Sequence, residues 1–165
     1  MSKQRLNFIR REQVRQRDGY LWISIHHTAE ISSTADIGGT GCGYERGEDG
    51  ELEEMPHLGG VKIGPYVKVG PMCSVQRGAF TDTVLGEGTV LGIGVNIGHG
   101  CRIGRNVLII DGACVLGSVI VRDNVTIGGE AVIRPKVEIG EGAVIGDGAL
   151  VLHDVPAGMK VKGLH

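Results

Sequence analysis

Residues 85–104 read LGEGTVLGIGVNIGHGCRIG, and this stretch repeats one pattern every six positions. Each unit starts with an aliphatic residue, usually followed by glycine, and carries a small or β-branched residue four positions later. Beyond this stretch the first position continues as Ile109, Val115, Val121, Ile127, Ile133, Ile139, Ile145, Val151 and the small Ala157. We therefore expect the pattern to run without a break from Leu85 to Val161.

A six-residue period fits neither an α-helix nor a simple alternating strand. It is typical of a coil in which each unit supplies one short strand and one corner, with the aliphatic side chain pointing inward. Three such units make one turn, and successive turns stack about 4.8 Å apart. The sequence therefore predicts an all-β parallel β-helix. Its core would be a column of aliphatic residues, which suits a chain with only two Phe and one Trp.

The repeats divide the chain into an arm and a domain. Residues 1–20 are polar and basic, and we interpret them as an arm that either packs on the first turn or docks an acidic partner such as a carrier protein. Residues 21–165 form the predicted β-helix domain, whose first units begin at Ile25, Ile31 and Ile37 and then at Ile63, Val69 and Val75. The glycine-rich, acidic insert at 38–60 must leave the coil as a loop. Near residues 79–85 the frame slips by two positions, which predicts an irregular corner.

The composition argues against several classes of protein. The net charge of −2 argues against a nucleic-acid partner, since no overall basic field is present. The sequence contains no apolar run of the roughly 18 residues that a membrane span requires, and we find no signal-peptide pattern in residues 1–19. The four cysteines form no Cys-x-x-Cys pair, and we interpret them as packing residues in a reducing compartment. These features predict a cytoplasmic protein.

His99 is the strongest candidate for chemistry. It occupies the third position of its unit, an outward corner, between Gly98 and Gly100, where a substrate could reach it. An imidazole with the ordinary pKa of about 6.5 can accept a proton near neutral pH. One turn later stands Gly117, whose backbone N–H should lie about 4.8 Å away and open to a ligand. A general base beside an open N–H donor suits acyl transfer, although a corner histidine with no role fits the same spacing.

Three segments resemble a known family. Gly41-Cys-Gly-Tyr44 opens the insert, Gln76-Arg-Gly-Ala79 is followed by Asp82-Thr83, and Ile97-Gly-His-Gly100 carries the histidine. Residues 41–146, about two thirds of the chain, resemble the hexapeptide acyltransferases, and most closely the UDP-3-O-acylglucosamine N-acyltransferases of lipid A biosynthesis. We find no counterpart of that family's N-terminal uridine-binding domain. Gln76 stands where the family carries aspartate, which indicates altered substrate recognition.

The resemblance implies a left-handed β-helix that assembles as a homotrimer with active sites between subunits. It implies that His99 is the general base on a sugar amine and that the Gly117 amide binds the thioester carbonyl. The donor would be an acyl carrier protein or coenzyme A thioester, acting as substrate, with no tightly bound cofactor and no metal. The substrate-binding residues that we predict are Tyr44, His57, Arg77, Asp82 and Asn96.

Three hypotheses for function follow. The first is an N-acyltransferase acting on an amino sugar, free or nucleotide-linked, with acyl chain length and acceptor left open. The second is a non-catalytic trimeric β-helix that serves as a scaffold or regulatory module. The third is a metalloenzyme of the carbonic-anhydrase type, which would need a histidine five positions from His99. Positions 94 and 104 are both glycine, so that ligand set is incomplete.

Overall fold

The structure, a computed structural model, describes the backbone of residues 16–17 and 20–21 and all of residues 23–165. The predicted arm at 1–20 therefore lies largely outside the described residues. At the end of the arm, β1 (Gln16–Arg17) and β2 (Tyr20–Leu21) form a short antiparallel pair that reaches one residue beyond it. Every regular element among the described residues is a β-strand.

The strands that wind into the coil form three parallel sheets, which we call the first, second and third faces. The first face contains β3 (Ile23–Ile25), β8 (Val61–Ile63), β11 (Thr83–Leu85), β14 (Arg102–Ile103), β17 (Ile120–Val121) and β20 (Glu138–Ile139). The second contains β4 (Glu30–Ile31), β9 (Lys68–Val69), β12 (Val90–Leu91), β15 (Leu108–Ile109), β18 (Thr126–Ile127), β21 (Val144–Ile145) and β23 (Lys160–Val161). The third contains β5 (Asp36–Ile37), β10 (Ser74–Val75), β13 (Asn96–Ile97), β16 (Cys114–Val115), β19 (Val132–Ile133) and β22 (Leu150–Val151).

The pairing register confirms the predicted fold class. In the central turns each strand pairs with the strand three units later, so that Ile97 lies beside Val115 and Ile103 lies beside Val121. Three units therefore complete one turn, as the sequence predicts. The chain is an all-β parallel β-helix of hexapeptide repeats, and it is consistent with the left-handed winding that the resemblance implies.

The core is the column of aliphatic side chains that the six-residue pattern places inside the coil. Ile109, Ile127 and Ile139 are completely buried, and the small position of each unit is buried as well, as at Val107 and Ala113. Burying an aliphatic side chain contributes about 1.5–3 kcal/mol, so the stacked turns gain stability from each inward residue.

The insert forms a β-hairpin. Its strands β6 (Tyr44–Arg46) and β7 (Leu52–Glu54) pair antiparallel, and every residue in them is exposed. Across the insert Ile25 pairs with Ile63, so the turn that contains the insert is longer than the central turns. The coil nevertheless continues after the insert with its faces in order. The boundaries of 38–60 remain a prediction.

One expectation about the repeats was wrong: the pattern breaks after Val151. Val155 pairs with Ile139 and Val161 pairs with Ile145, so the last turn is shorter than the central turns by two positions. Val155 and Val161 are buried, whereas Ala157 is exposed. The shift is favourable because a valine buries more apolar surface than an alanine at the inward position.

Replacing Ile109 with Ala should lower the free energy of unfolding by about 2–5 kcal/mol, because it leaves a cavity in the column. Leu52 is 59% exposed on the hairpin, and Leu52→Ala should change stability by less than about 0.5 kcal/mol. Denaturant unfolding of both variants at one protein concentration measures the difference. Equal stabilities would contradict the buried column.

Candidate active site

Both segments that lengthen a turn of the coil fall at the corner that carries His99. We call this corner, between the third and first faces, the third corner. The insert leaves the coil there after Ile37, and the irregular segment leaves it there one turn later, after Val75. Leu85 follows Val75 by ten positions, whereas the inward aliphatic residues of successive regular units are six positions apart. His99 follows Ile97 on the next turn, so the two irregular segments lie on the turns just before it.

Arg77 ties the end of the insert to the irregular corner. Its side chain is buried, and its Nε donates a hydrogen bond to the carbonyl of Gly59 at 3.0 Å. Its backbone N–H donates to the carbonyl of Gly39 at the start of the insert. Burial lowers the pKa of the guanidinium. Arg77 thus contacts both ends of the insert.

Asp82 and Thr83 extend this connection to the turn of His99. Asp82 accepts a hydrogen bond from the amide of Gly60 at 2.8 Å and forms an ion pair with Lys62 at 2.7 Å. The Lys62 ammonium is the main cause of the lowered pKa of the Asp82 carboxyl. Thr83 is completely buried, and its Oγ1 accepts a hydrogen bond from the amide of Gly100 at 2.8 Å. The residue next to His99 is therefore anchored to the irregular corner.

His57 is brought to the site by the end of the insert. Its side chain is only 7% exposed, and its Nδ1 lies 3.1 Å from the carbonyl oxygen of Met55. A carbonyl oxygen only accepts, so Nδ1 must carry the proton. A Cβ at Gly41 would lie 3.1 Å from Nε2, and a Cβ at Gly43 would lie 2.9 Å from Cε1. The two glycines of the Gly41–Tyr44 motif therefore leave room for this imidazole.

His99 lies against Gly117, as the predicted length of the turn requires. A Cβ at position 117 would be 2.5 Å from Nε2 of His99, so only glycine leaves space for the ring. The His99 carbonyl accepts a hydrogen bond from the amide of Ser118 at 2.8 Å. The rings of His57 and His99 meet edge to face, with centroids 5.6 Å apart. Burial, and then repulsion from His57, lower the pKa of His99, which favours the neutral form that acts as a base.

The amide of Gly117 is unpaired among residues 23–165, in contrast to several equivalent positions. At three other corners an aspartate one turn later accepts the corner N–H at 2.7–2.8 Å; the donor and acceptor pairs are Ile93 with Asp111, Arg105 with Asp123, and Gly129 with Asp147. One turn after Gly117 stands Pro135, which has no such acceptor. Among residues 23–165 no acceptor bonds the Gly117 amide.

The other predicted substrate-binding residues divide into two groups. Arg77 and Asp82 lie at the base of the insert, where they hold it to the coil. Tyr44 is 52% exposed on β6, and Asn96 is exposed on the third face, where its Nδ2 donates to the carbonyl of Gly94. A role for these four residues in binding substrate remains a prediction.

Two residues that shape the site were not predicted from the sequence. Thr83 links the irregular corner to Gly100, and the Met55 carbonyl fixes the proton on His57. The described part of the chain has no group of three or more His, Cys, Asp or Glu residues that could hold a metal ion. In the same residues no helix is long and apolar enough to cross a membrane.

The repeats match known transferases. The family model described as bacterial transferase hexapeptide (six repeats) matches residues 118–153. The UDP-3-O-acylglucosamine N-acyltransferase of Pseudomonas paraeruginosa strain PA7 is 38% identical over 69 residues, which is 42% of this chain and 19% of that protein. The enzyme of the same name from Shewanella denitrificans is 33% identical over 88 residues, 53% of this chain and 26% of that protein.

The chain resembles the hexapeptide-repeat acyltransferases. Among solved structures, LpxA from Acinetobacter baumannii superposes with a TM-score of 0.71 at 26% identity, over 82% of this chain and 51% of that one. The UDP-N-acetylglucosamine acyltransferase of Francisella novicida gives 0.74 at 22% identity, over 86% and 52%, which supports the fold alone. The chain spans about a fifth to a quarter of the curated relatives it matches and about half of these solved structures.

Replacing Gly117 with Ala should displace the His99 ring while leaving the coil folded, because the new Cβ meets a side chain that can rotate. The His99 imidazole signal in an NMR spectrum reports the displacement. Gly129 occupies the same position of its unit, and a Cβ there meets its nearest atom at 3.3 Å, so Gly129→Ala is the matched control. An unchanged His99 signal in Gly117→Ala would contradict the contact.

Proposed function

We propose that this chain transfers an acyl group from a thioester donor to the amine of an amino sugar, with His99 as the general base. The observation that carries the proposal is the contact between the His99 imidazole and Gly117, whose amide has no acceptor in the described residues. The two groups supply, side by side, the proton acceptor and the N–H donor that acyl transfer requires.

These two groups account for the proton transfer and the oxyanion that the reaction requires. The amine nitrogen attacks the thioester carbonyl carbon, a C–N bond forms, and the amine gives a proton to His99. The carbonyl oxygen becomes an oxyanion, which the Gly117 N–H stabilises. The C=O bond then re-forms, the C–S bond breaks, and the departing thiolate takes the proton from His99. The products are an amide and a free thiol.

The environment of His99 favours this role. Burial and the neighbouring His57 lower the pKa of His99, so the imidazole stays neutral to a lower pH than an ordinary histidine. A general base must be unprotonated when the substrate binds.

The substrate class rests on similarity. The curated relatives are named as N-acyltransferases of UDP-3-O-acylglucosamine, and they match 42–53% of this chain. From these relatives we infer that the acceptor is an amino sugar, free or nucleotide-linked. We infer that the acyl donor is a thioester of acyl carrier protein or coenzyme A. The donor acts as a substrate, and no tightly bound cofactor is part of the proposal.

An apolar strip supports the proposed homotrimer. Five aliphatic residues on the second and third faces and the corner between them are 37–47% exposed: Ile93, Leu108, Ile110, Val144 and Leu150. We define these as the apolar strip. A partner that covers such a strip removes apolar surface from water, and closed symmetric assemblies are the usual result.

The cytoplasmic location is also part of the proposal. All four cysteines are free thiols, and Cys73 and Cys101 are buried at the small position of their units. Burial raises the pKa of the Cys101 thiol to about 11, which keeps it unreactive. Free, buried cysteines are common in reducing compartments.

Replacing His99 with Gln should reduce turnover about 10²–10⁴-fold, because the base is lost. The assay is thiol release from acetyl-coenzyme A and medium-chain acyl carriers against a panel of amino sugars. In the wild type the acidic limb of kcat/KM should lie at a lower pH than the ordinary histidine value of about 6.5, since the pKa of His99 is lowered.

His153→Gln is the matched control, since His153 is an exposed histidine of the third corner three turns from His99. It should retain full turnover. If wild-type protein releases no thiol with any donor and acceptor pair, the chain is better described as a scaffold.

Replacing Leu108 with Asp should dissociate the homotrimer, because it places a charge in the apolar strip. Light scattering after size exclusion should give three times the 17.4 kDa chain mass for wild type and a smaller mass for the variant. Ile120→Asp, on the first face, should leave the mass unchanged. A wild-type mass of 17.4 kDa would exclude the assembly.

A further inference from the structure

His57 is a buried imidazole for which the proposed chemistry has no use. Its Nδ1 is occupied by the Met55 carbonyl, and its Nε2 faces Gly41, where a Cβ would lie 3.1 Å away. With 7% of its surface exposed, the ring presents little area to a substrate. Its remaining contact of interest is the edge-to-face approach to His99, with centroids 5.6 Å apart. This distance lies within the range of about 4.5–7 Å that favourable ring pairs occupy.

Among residues 23–165, no carboxylate forms a hydrogen bond or an ion pair with the His99 side chain, and none is a cause of its pKa shift. The insert contributes His57, together with Cys42 between the two glycines that touch His57. On the irregular corner, Arg77 is bonded to Gly59 and Asp82 is paired with Lys62, and neither is a cause of the pKa shift of His99. The next turn contributes Gly117 and Ser118, neither of which titrates. Of these titratable groups only His57 affects the protonation of His99, and it opposes the added charge.

We propose that His57 is a positioning residue for His99, which covers one side of its imidazole and holds it over Gly117. The bond to Met55 fixes the ring of His57, and Gly41 and Gly43 leave room for it beside the insert. A rigid neighbour restricts the rotation of His99, so that its Nε2 stays against Gly117. Burial, and then repulsion from His57, lower the pKa of His99, which favours the neutral base.

This proposal replaces our sequence-based prediction that His57 binds substrate, and its catalytic consequence rests on the proposed function. The contact itself does not depend on that function. A substrate-binding residue would alter KM and leave His99 unchanged. A positioning residue alters the titration of His99 and the value of kcat.

The first test measures His99 directly, without turnover. Protein carrying ¹³Cε1-labelled histidine is titrated by NMR, and the His99 signal is assigned by its loss in His99→Gln. We expect His57→Gln to shift the midpoint of His99 upward, toward the value of an ordinary histidine, because the repulsion is removed. His153→Gln should leave the midpoint unchanged. An unchanged His99 midpoint in His57→Gln would overturn the proposal.

Two further measurements guard against a variant that fails to fold. Circular dichroism and the molecular mass identify folded protein, and His57→Asn serves as the second variant. In the wild type, ¹⁵N chemical shifts of His57 should show a proton on Nδ1, as the Met55 contact requires. A His57 that is protonated on Nε2 alone would also overturn the proposal.

The second test uses activity. His57→Gln should lower kcat, leave KM for the acceptor within about two-fold, and move the acidic limb of kcat/KM to higher pH. A rise in KM with unchanged kcat and unchanged His99 titration would assign His57 to substrate binding instead. If the wild type releases no thiol, the proposed function fails, whereas the NMR titration still decides the role of His57.

Discussion

The backbone ladder between successive turns, which pairs each strand with the strand three units later, is the constraint on which the rest of the structure depends. A shift of one position would turn every inward aliphatic side chain toward solvent. Extra residues therefore cannot be absorbed within a strand, and they must leave the coil at a corner. The insert and the irregular segment both do so at the third corner, and the candidate active site lies there as a result.

The sequence predicts most of the fold because the six-residue repeat also sets the strand pairing. Three repeats make 18 residues, which is the separation of paired strands in the central turns. Counting three units onward from His99 leads to Gly117, and the structure places the two residues in contact. The break after Val151 was missed because Val155 and Val161 fit either the inward or the small position. Periodicity alone does not separate the two frames, whereas the burial of Val155 and the exposure of Ala157 do.

The candidate site was only partly accessible from sequence. The path of the insert has no period, so the contact between His57 and His99 could not be derived by counting. Arg77 and Asp82 stood out by their motif, but the motif did not reveal that both hold the insert to the coil. One signal was present and unused: each lengthened segment follows the third unit of a turn, at Ile37 and at Val75, which places both on the corner of His99.

The unpaired amide of Gly117 also has a dynamic consequence. Amides inside the ladder are protected from solvent by their partners on the next turn, and they exchange hydrogen only when the structure opens. Gly117 lies between two such ladders, yet its N–H has no acceptor in the described residues. Its proton is therefore free to exchange with deuterated water while neighbouring strand amides retain theirs, and occupancy of the site by a carbonyl group would slow that exchange.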